Sequence, residues 1–172
     1  IMNHQPSPPW LSFAWHDFQI PKFGFTSWLI LQERLLTKDR MSGFGMLVDL
    51  RCVLCMNQNE SHSHLFCDCV FSRNILSACP VAVGNLWSNF CAGHFLLQHT
   101  DQIRTKICHL FISAGFHHIW AERNFRIHNP GQYNSSNCLI RMIKEEVRSK
   151  MSTCKSFQAM TLSDPSLISI LY

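Results

Sequence analysis

Carboxylates are scarce in this chain. Only eleven of 172 residues are Asp or Glu, and no two Asp residues are adjacent anywhere. Nucleotidyl transfer by a polymerase needs paired carboxylates that hold two metal ions. RNase H or endonuclease chemistry needs several carboxylates converging on Mg²⁺. The acids here are scattered, so neither chemistry is expected, and no local Cys/His signature of a nucleophilic enzyme replaces them. The expectation is a non-catalytic chain. Long apolar runs are missing too: nothing approaches the ~20 residues needed to span a bilayer, and no secretory signal peptide is recognisable. Charged residues make up only 15% of the chain, against 47% hydrophobic, which is enough apolar material for a core and too much for a disordered tail.

Cysteine and histidine, by contrast, are abundant, at nine and ten. Nine is odd, which argues against a complete disulfide framework, so reduced thiols and an intracellular location, nuclear or cytoplasmic, are the default. Four of the cysteines fall between Cys52 and Cys69. Cys52 and Cys55 form a CxxC turn that aims two thiolates at one point. Eight residues separate Cys55 from His64, and four separate His64 from Cys69. Three thiolates and an imidazole make a closed tetrahedral shell, the arrangement of a structural Zn²⁺ site with no position open for a reacting water. His62 and Cys67 have the same mutual spacing as His64 and Cys69, so spacing alone leaves two registers open. No second CxxC exists to anchor a second metal among Cys79, Cys91, His94 and His99.

The residues around these ligands resemble a known family. Glu60-Ser61-His62-Ser63-His64-Leu65-Phe66-Cys67-Asp68-Cys69 is similar to the E-s-x-x-H-L-F-x-x-C signature of the reverse transcriptase zinc-binding domain, found near the C-terminal end of plant non-LTR (LINE-type) retrotransposon polyproteins. Upstream, Pro21-Lys22-Phe23-Gly24-Phe25-Thr26-Ser27-Trp28-Leu29 resembles its P-K-x-x-x-F-x-W-L segment, and Arg34-Leu35-Leu36-Thr37-Lys38-Asp39-Arg40-Met41 its R-L-x-T-x-D-R-L. Downstream, Ile119-Trp120-Ala121-Glu122-Arg123-Asn124 resembles the I-W-x-E-R-N that often follows. The resemblance spans roughly residues 13 to 128. It implies one structural zinc held by Cys52, Cys55, His64 and Cys69, and a reverse transcriptase domain in the same polyprotein as a partner. Two features depart from the pattern: the extra His62 and Cys67, and Gly24 and Thr26 where the segment is usually bulkier. Because the chain begins with Ile, a fragment of a longer reading frame is expected.

In order along the chain, residues 1–12, with three prolines, read as an irregular arm. Residues 13–80 read as the zinc-binding domain, with a helix from Lys22 to Leu36, a short helix from Lys38 to Phe44 capped by Thr37, a short strand over Val48–Val53 entering the CxxC turn, and a short helix carrying His64. Residues 81–100 read as a connector. Residues 101–157 read as an antiparallel helical pair joined at Pro130-Gly131. The long first helix ends before Asn129. The second is capped by Ser135 or Ser136 and buries Leu139, Ile143, Val147 and Met151. His117 and His118 lack an identifiable partner and read as partly exposed. Residues 158–172 read as a loosely ordered tail. The fold class is therefore mainly α: a small zinc-binding module, its CxxC turn facing a short helix, within a helical domain and followed by the helical pair.

The net charge is +4, unevenly spread. Residues 22–80 hold six Lys/Arg against five Asp/Glu, while 101–155 hold nine against four. Contacts to RNA or DNA phosphates are thus expected mainly from Arg141, Lys144, Arg148 and Lys150 on the last helix, with Lys22, Arg34, Lys38, Arg40 and Arg51 in support. The competing readings are a zinc-stabilised protein-interaction module and an inert fragment of a degenerate retroelement. If the zinc region and the helical pair are separate units, metal loss unfolds 45–75 and spares the pair.

Overall fold

The longest helix forms the axis of the fold because its middle is mostly apolar and buried on every side. Every residue from Ile107 to Phe116 is buried, and a helix buried all round must be enclosed by other elements. The computed structural model describes residues 10–79, 102–155 and 157–158. The described elements, all helical, are α1 (Leu11–Ala14), α2 (Pro21–Leu31), α3 (Lys38–Gly43), a π-helical turn (His64–Asp68), α4 (Val70–Leu76), α5 (Gln102–His128) and α6 (Ser136–Ser152). Helices α1, α2, α4 and α6 all pack on α5. The irregular arm at 1–9, the connector at 81–100 and the tail from 159 lie outside the described residues.

Several elements form as the sequence dictates. Pro21 opens α2, where its missing N–H costs nothing and its fixed φ is already helical. Ser135 caps α6 by accepting a hydrogen bond from the Cys138 N–H at 3.2 Å. Leu139, Ile143, Val147 and Met151 are all buried beneath α6. Between α5 and α6 the chain turns at Pro130-Gly131, where Gly131 takes φ +85°, a conformation that disfavours side chains.

Other expectations are corrected. Helix α2 stops at Leu31 rather than Leu36, because Glu33 adopts φ +49° and Arg34 N–H turns back to Leu29 O. Thr37 stands at the N-cap of α3, yet its hydroxyl makes no cap bond and is buried without a partner. The carboxylate of Glu60 takes that role, accepting the Lys38 N–H at 3.0 Å. Residues 48–53 form no strand. One antiparallel bridge joins Arg51 to Asn59, with Cys52 N–H to Gln58 O at 2.8 Å and Glu60 N–H to Leu50 O at 2.7 Å. The return segment is too short to continue a ladder. His117 and His118 both have partners: the Thr26 hydroxyl lies 3.0 Å from His117 Nδ1, and the Glu146 carboxylate lies 2.6 Å from His118 Nε2. These partners are distant in sequence, which hid them.

The departures at Gly24 and Thr26 have a packing reason. A Cβ on Gly24 would sit 2.5 Å from the Ala14 carbonyl oxygen, so α1 and α2 meet only because that position is bare. Thr26, the neighbouring departure, is held against α5 through His117. The segments 13–79 and 102–157 share one continuous apolar cluster, running from Phe13 and Phe23 through Leu65 and Phe66 to Ile143 and Met151. The zinc-type module therefore rests on the helical pair, and its loss is not expected to leave the pair untouched.

Candidate metal centre

The CxxC turn is shaped by its own backbone. Met56 N–H bonds to Cys52 O at 2.8 Å, closing the turn, and Met56 takes φ +55° to do so. Backbone N–H groups of Leu54 and Cys55 point at the Cys52 sulfur, where they favour the thiolate. On the facing side Ser61 Oγ accepts the His64 N–H at 3.0 Å and starts the turn. The π-helical turn then closes with Cys69 N–H to His64 O at 2.7 Å. Cys69 is the residue before α4, so the N–H groups of Phe71 and Ser72 bond to its sulfur at a helix N-terminus.

These elements bring Cys52, Cys55, His64 and Cys69 together, with all four ligand atoms within 4.8 Å of one another. Cys52 Sγ and Cys69 Sγ are 4.0 Å apart, and Cys55 Sγ lies 3.4 Å from His64 Nε2. A tetrahedral zinc with bonds of about 2.3 Å to sulfur has S···S edges of roughly 3.8 Å, so the donor atoms already stand near the corners of such a shell. Cys52 and Cys69 are fully buried and His64 nearly so. The Cys52 thiol, bonded to Cys69, pulls Cys69 down to about 5, while Cys52 itself is pushed above the ordinary thiol range by the same bond and by burial. The contact thus favours the thiolate form at Cys69, the form in which a cysteine binds a metal. Residues and donor chemistry fit a metal ion.

The alternative register fails on geometry. His62 packs at a tilt against Phe66 with ring centroids 5.2 Å apart, and burial lowers its pKa. Cys67 is disulfide-bonded and buried. Neither reaches the four-atom cluster. Leu65 and Phe66, which follow His64, are buried in the common core.

A bracing network behind the centre escaped the sequence reading. Glu60 is fully buried and accepts from Arg123 at 2.6 Å, 3.1 Å and 3.3 Å while capping α3. Arg126 donates to the backbone carbonyls of Val53 and Leu54, each at 3.2 Å, inside the CxxC turn itself. Glu122 holds Arg126 at 2.8 Å and accepts from both the backbone and side chain of Asn134. The Glu60 motif and the Ile119–Asn124 motif thus meet in space. Their joint presence in the sequence was the available signal, without the contact between them.

The expected phosphate-contacting residues distribute unevenly. At about 100° per residue, Arg141, Lys144 and Arg148 form one row along α6, whereas Lys150 falls on the opposite flank of its buried stripe. Burial chiefly depresses the His16 imidazole, with His109, Lys106 and Lys150 adding to it. Arg141 is exposed and Lys144, Arg148 and Lys150 are half-buried. Of the supporting cations, Lys38 is buried and donates to Arg51 O at 2.6 Å. Lys22 pairs with Glu146 at 3.0 Å, Arg51 with Asp49 at 2.9 Å, and Arg40 donates to Glu33 O. The guanidinium of Arg34 lies over the Trp28 ring.

Among the described residues no helix is long and apolar enough to cross a membrane. No curated protein and no solved structure matches the chain. Residues 1–75, which carry all four ligands, match the family model described as zinc-binding in reverse transcriptase, the family to which the motifs around Glu60–Cys69 pointed.

Proposed function

We propose that the chain is a non-catalytic module of a plant-type non-LTR retroelement reverse transcriptase, in which one structural Zn²⁺ fixes a scaffold that helps hold RNA or DNA. The observation that carries this reading is the convergence of three sulfurs and one imidazole nitrogen within 4.8 Å in the region that matches the family. Three thiolates with one imidazole favour Zn²⁺ over the hard cations Mg²⁺ and Ca²⁺. The four ligands fill its tetrahedral shell, so the ion serves as a cross-link. When bound, it ties the CxxC turn to the start of α4. Arg126 and Glu60 then carry that fixed geometry to α5. The row of Arg141, Lys144 and Arg148 supplies the phosphate contacts, with the polymerase domain of the same polyprotein as neighbour and the cytoplasm or nucleus as location.

Metal analysis of purified protein should give about one zinc per chain. Cys52→Ser should abolish binding, whereas His62→Ala and Cys67→Ser should retain it. For the second half of the reading, log K for single-stranded RNA or DNA should fall with log salt at roughly −0.7 per phosphate contact, so three contacts give about a tenfold or greater loss between 50 and 200 mM. Replacing Arg141, Lys144 and Arg148 with Ala should flatten that slope and leave the zinc content unchanged. Binding that is undetectable at low salt, or indifferent to salt, overturns the nucleic-acid reading.

One observation favours a second reading, a protein-interaction module. Phe44, Met46 and Leu47, beyond α3, are 69%, 49% and 104% exposed, an unusual run of bare apolar side chains. Salt-independent capture of the polymerase domain, lost in Leu47→Ser, is the outcome expected of it.

A further inference from the structure

Outside the metal centre, a second pair of thiols comes together. Cys79 Sγ and Cys108 Sγ are 3.7 Å apart, across a sequence separation of 29 residues. Cys108 lies on α5 and is fully buried. Cys79 follows α4 and is half-buried. Neither is in a disulfide. The contact is enforced by the packing of α4 on α5: a Cβ on Gly115 would stand 2.9 Å from Leu76 Cδ2, so the two helices approach where that side chain is missing. Cys79 N–H then bonds to Leu76 O at 3.2 Å, folding the residue back over α5.

We infer that Cys79 and Cys108 are a redox couple, a dithiol that a peroxide converts to a disulfide tying the end of α4 to α5. A disulfide has its sulfurs about 2.05 Å apart, so closure from 3.7 Å asks for a movement of under roughly 2 Å, within reach of side-chain rotation. Cys79, the more accessible sulfur, meets the oxidant first. Its thiolate attacks one oxygen of hydrogen peroxide, the O–O bond breaks, and hydroxide leaves and is protonated to water. The Cys79 sulfenic acid that results is attacked by the sulfur of Cys108; the S–S bond forms, the S–O bond breaks, and a second water departs with the Cys108 proton. Dithiol and peroxide become disulfide and two waters.

The other described thiols do not compete on equal terms. Cys52, Cys55 and Cys69 converge on the metal centre, and Cys67 is already disulfide-bonded. Cys138 lies in the first turn of α6 and Cys154 just beyond its end, about 24 Å apart by the rise of that helix, and they cannot join each other. Because α4 begins immediately after Cys69, the bond would pin the helix that carries a metal ligand to the central helix of the fold.

The test uses the full chain loaded with zinc and titrated with hydrogen peroxide, followed by alkylation of remaining thiols and peptide mapping. A Cys79–Cys108 cross-linked peptide is expected, lighter by two hydrogens, reversed by dithiothreitol, and accompanied by an upward shift of several degrees in the thermal midpoint. Cys79→Ser is half-buried and should fold with an unchanged helical spectrum. It should lose both the peptide and the shift, leaving the midpoint indifferent to peroxide. Alkylation of both cysteines at every peroxide level, or cross-links to the ligand cysteines in equal yield, overturns the inference.

Discussion

The contact between Glu60 and Arg123 invites the most telling perturbation. Glu60 has no exposed side-chain surface and the Arg123 side chain is 3% exposed, so neither charge has water to fall back on. Replacing Glu60 with Ala leaves the guanidinium buried beside only Asn124 Oδ1 and the Trp120 ring. Breaking a buried pair in this way costs about 3–5 kcal/mol. The same substitution strips the Lys38 N–H of its acceptor, a further ~1 kcal/mol. Together these approach the whole stability of an ordinary domain at the low end of its range, ~5 kcal/mol. Glu60→Gln keeps the shape and an acceptor, so its cost should be about 1.5–3 kcal/mol, that of a charged hydrogen bond. Urea unfolding followed by circular dichroism measures all of this, and chelator competition measures zinc affinity, which should weaken because residue 60, once released from Arg123, holds its N–H less firmly against Leu50 O beside Cys52. The double variant Glu60→Leu/Arg123→Met removes both charges and should be less destabilised than the sum of its singles by at least ~1 kcal/mol. A Glu60→Ala protein within about 0.5 kcal/mol of the parent, or strictly additive effects, would refute the reasoning.

Three other expectations follow from the same geometry. Burial holds His109 down at about 4 against an ordinary 6.5, so the unfolded chain takes up its proton first as pH falls; stability should be flat in this group above 6.5, decline between 6.5 and 4 by at most about 3 kcal/mol, and His109→Phe should remove that part of the acid slope in denaturant titrations. Met56 sits at φ +55° with its side chain 60% exposed, so Met56→Gly should raise stability by ~1 kcal/mol in thermal unfolding while zinc content stays constant. Chelation of the metal should reduce hydrogen-exchange protection in α5 around Arg123 and Arg126 as well as in residues 45–75, and full retention of protection in α5 would show that the two regions are independent after all.

What the sequence made legible was local. The apolar stripe of α6, its Ser135 cap and the end of α5 before Asn129 are written in short-range periodicity and capping chemistry, and the structure has them there. The CxxC and the following His and Cys pointed to a metal site because chelation imposes tight spacing, but spacing left His62/Cys67 beside His64/Cys69, and it was the resemblance that implied the second pair. The misreadings share one cause. Thr37 looks like a cap because hydroxyls usually cap, but a carboxylate twenty-two residues away reaches the Lys38 N–H instead. His117 and His118 looked partnerless because Thr26 and Glu146 arrive from other helices. Lys38 and Lys22 looked available to phosphates, and tertiary contacts engage both. A long-range partner leaves no periodic trace in one sequence.

The widened turn at His64–Asp68 bears on why the spacing takes the form it does. In an ordinary α-helix two residues five apart point about 140° away from each other, and no single ion could be shared between them. A π-helical turn advances by roughly 80° per residue, which brings the fifth residue back within about 40° of the first. The interval between His64 and Cys69 is thus a length measured in wide turns, five residues where an ordinary helix brings back the fourth. His62 and Cys67 share the interval in sequence, but their stretch begins in ordinary helix at residues 62–63, before the widening starts. Two pairs that are identical as strings are therefore unequal as rotations, and the metal centre belongs to the pair whose helix has been locally unwound to meet it.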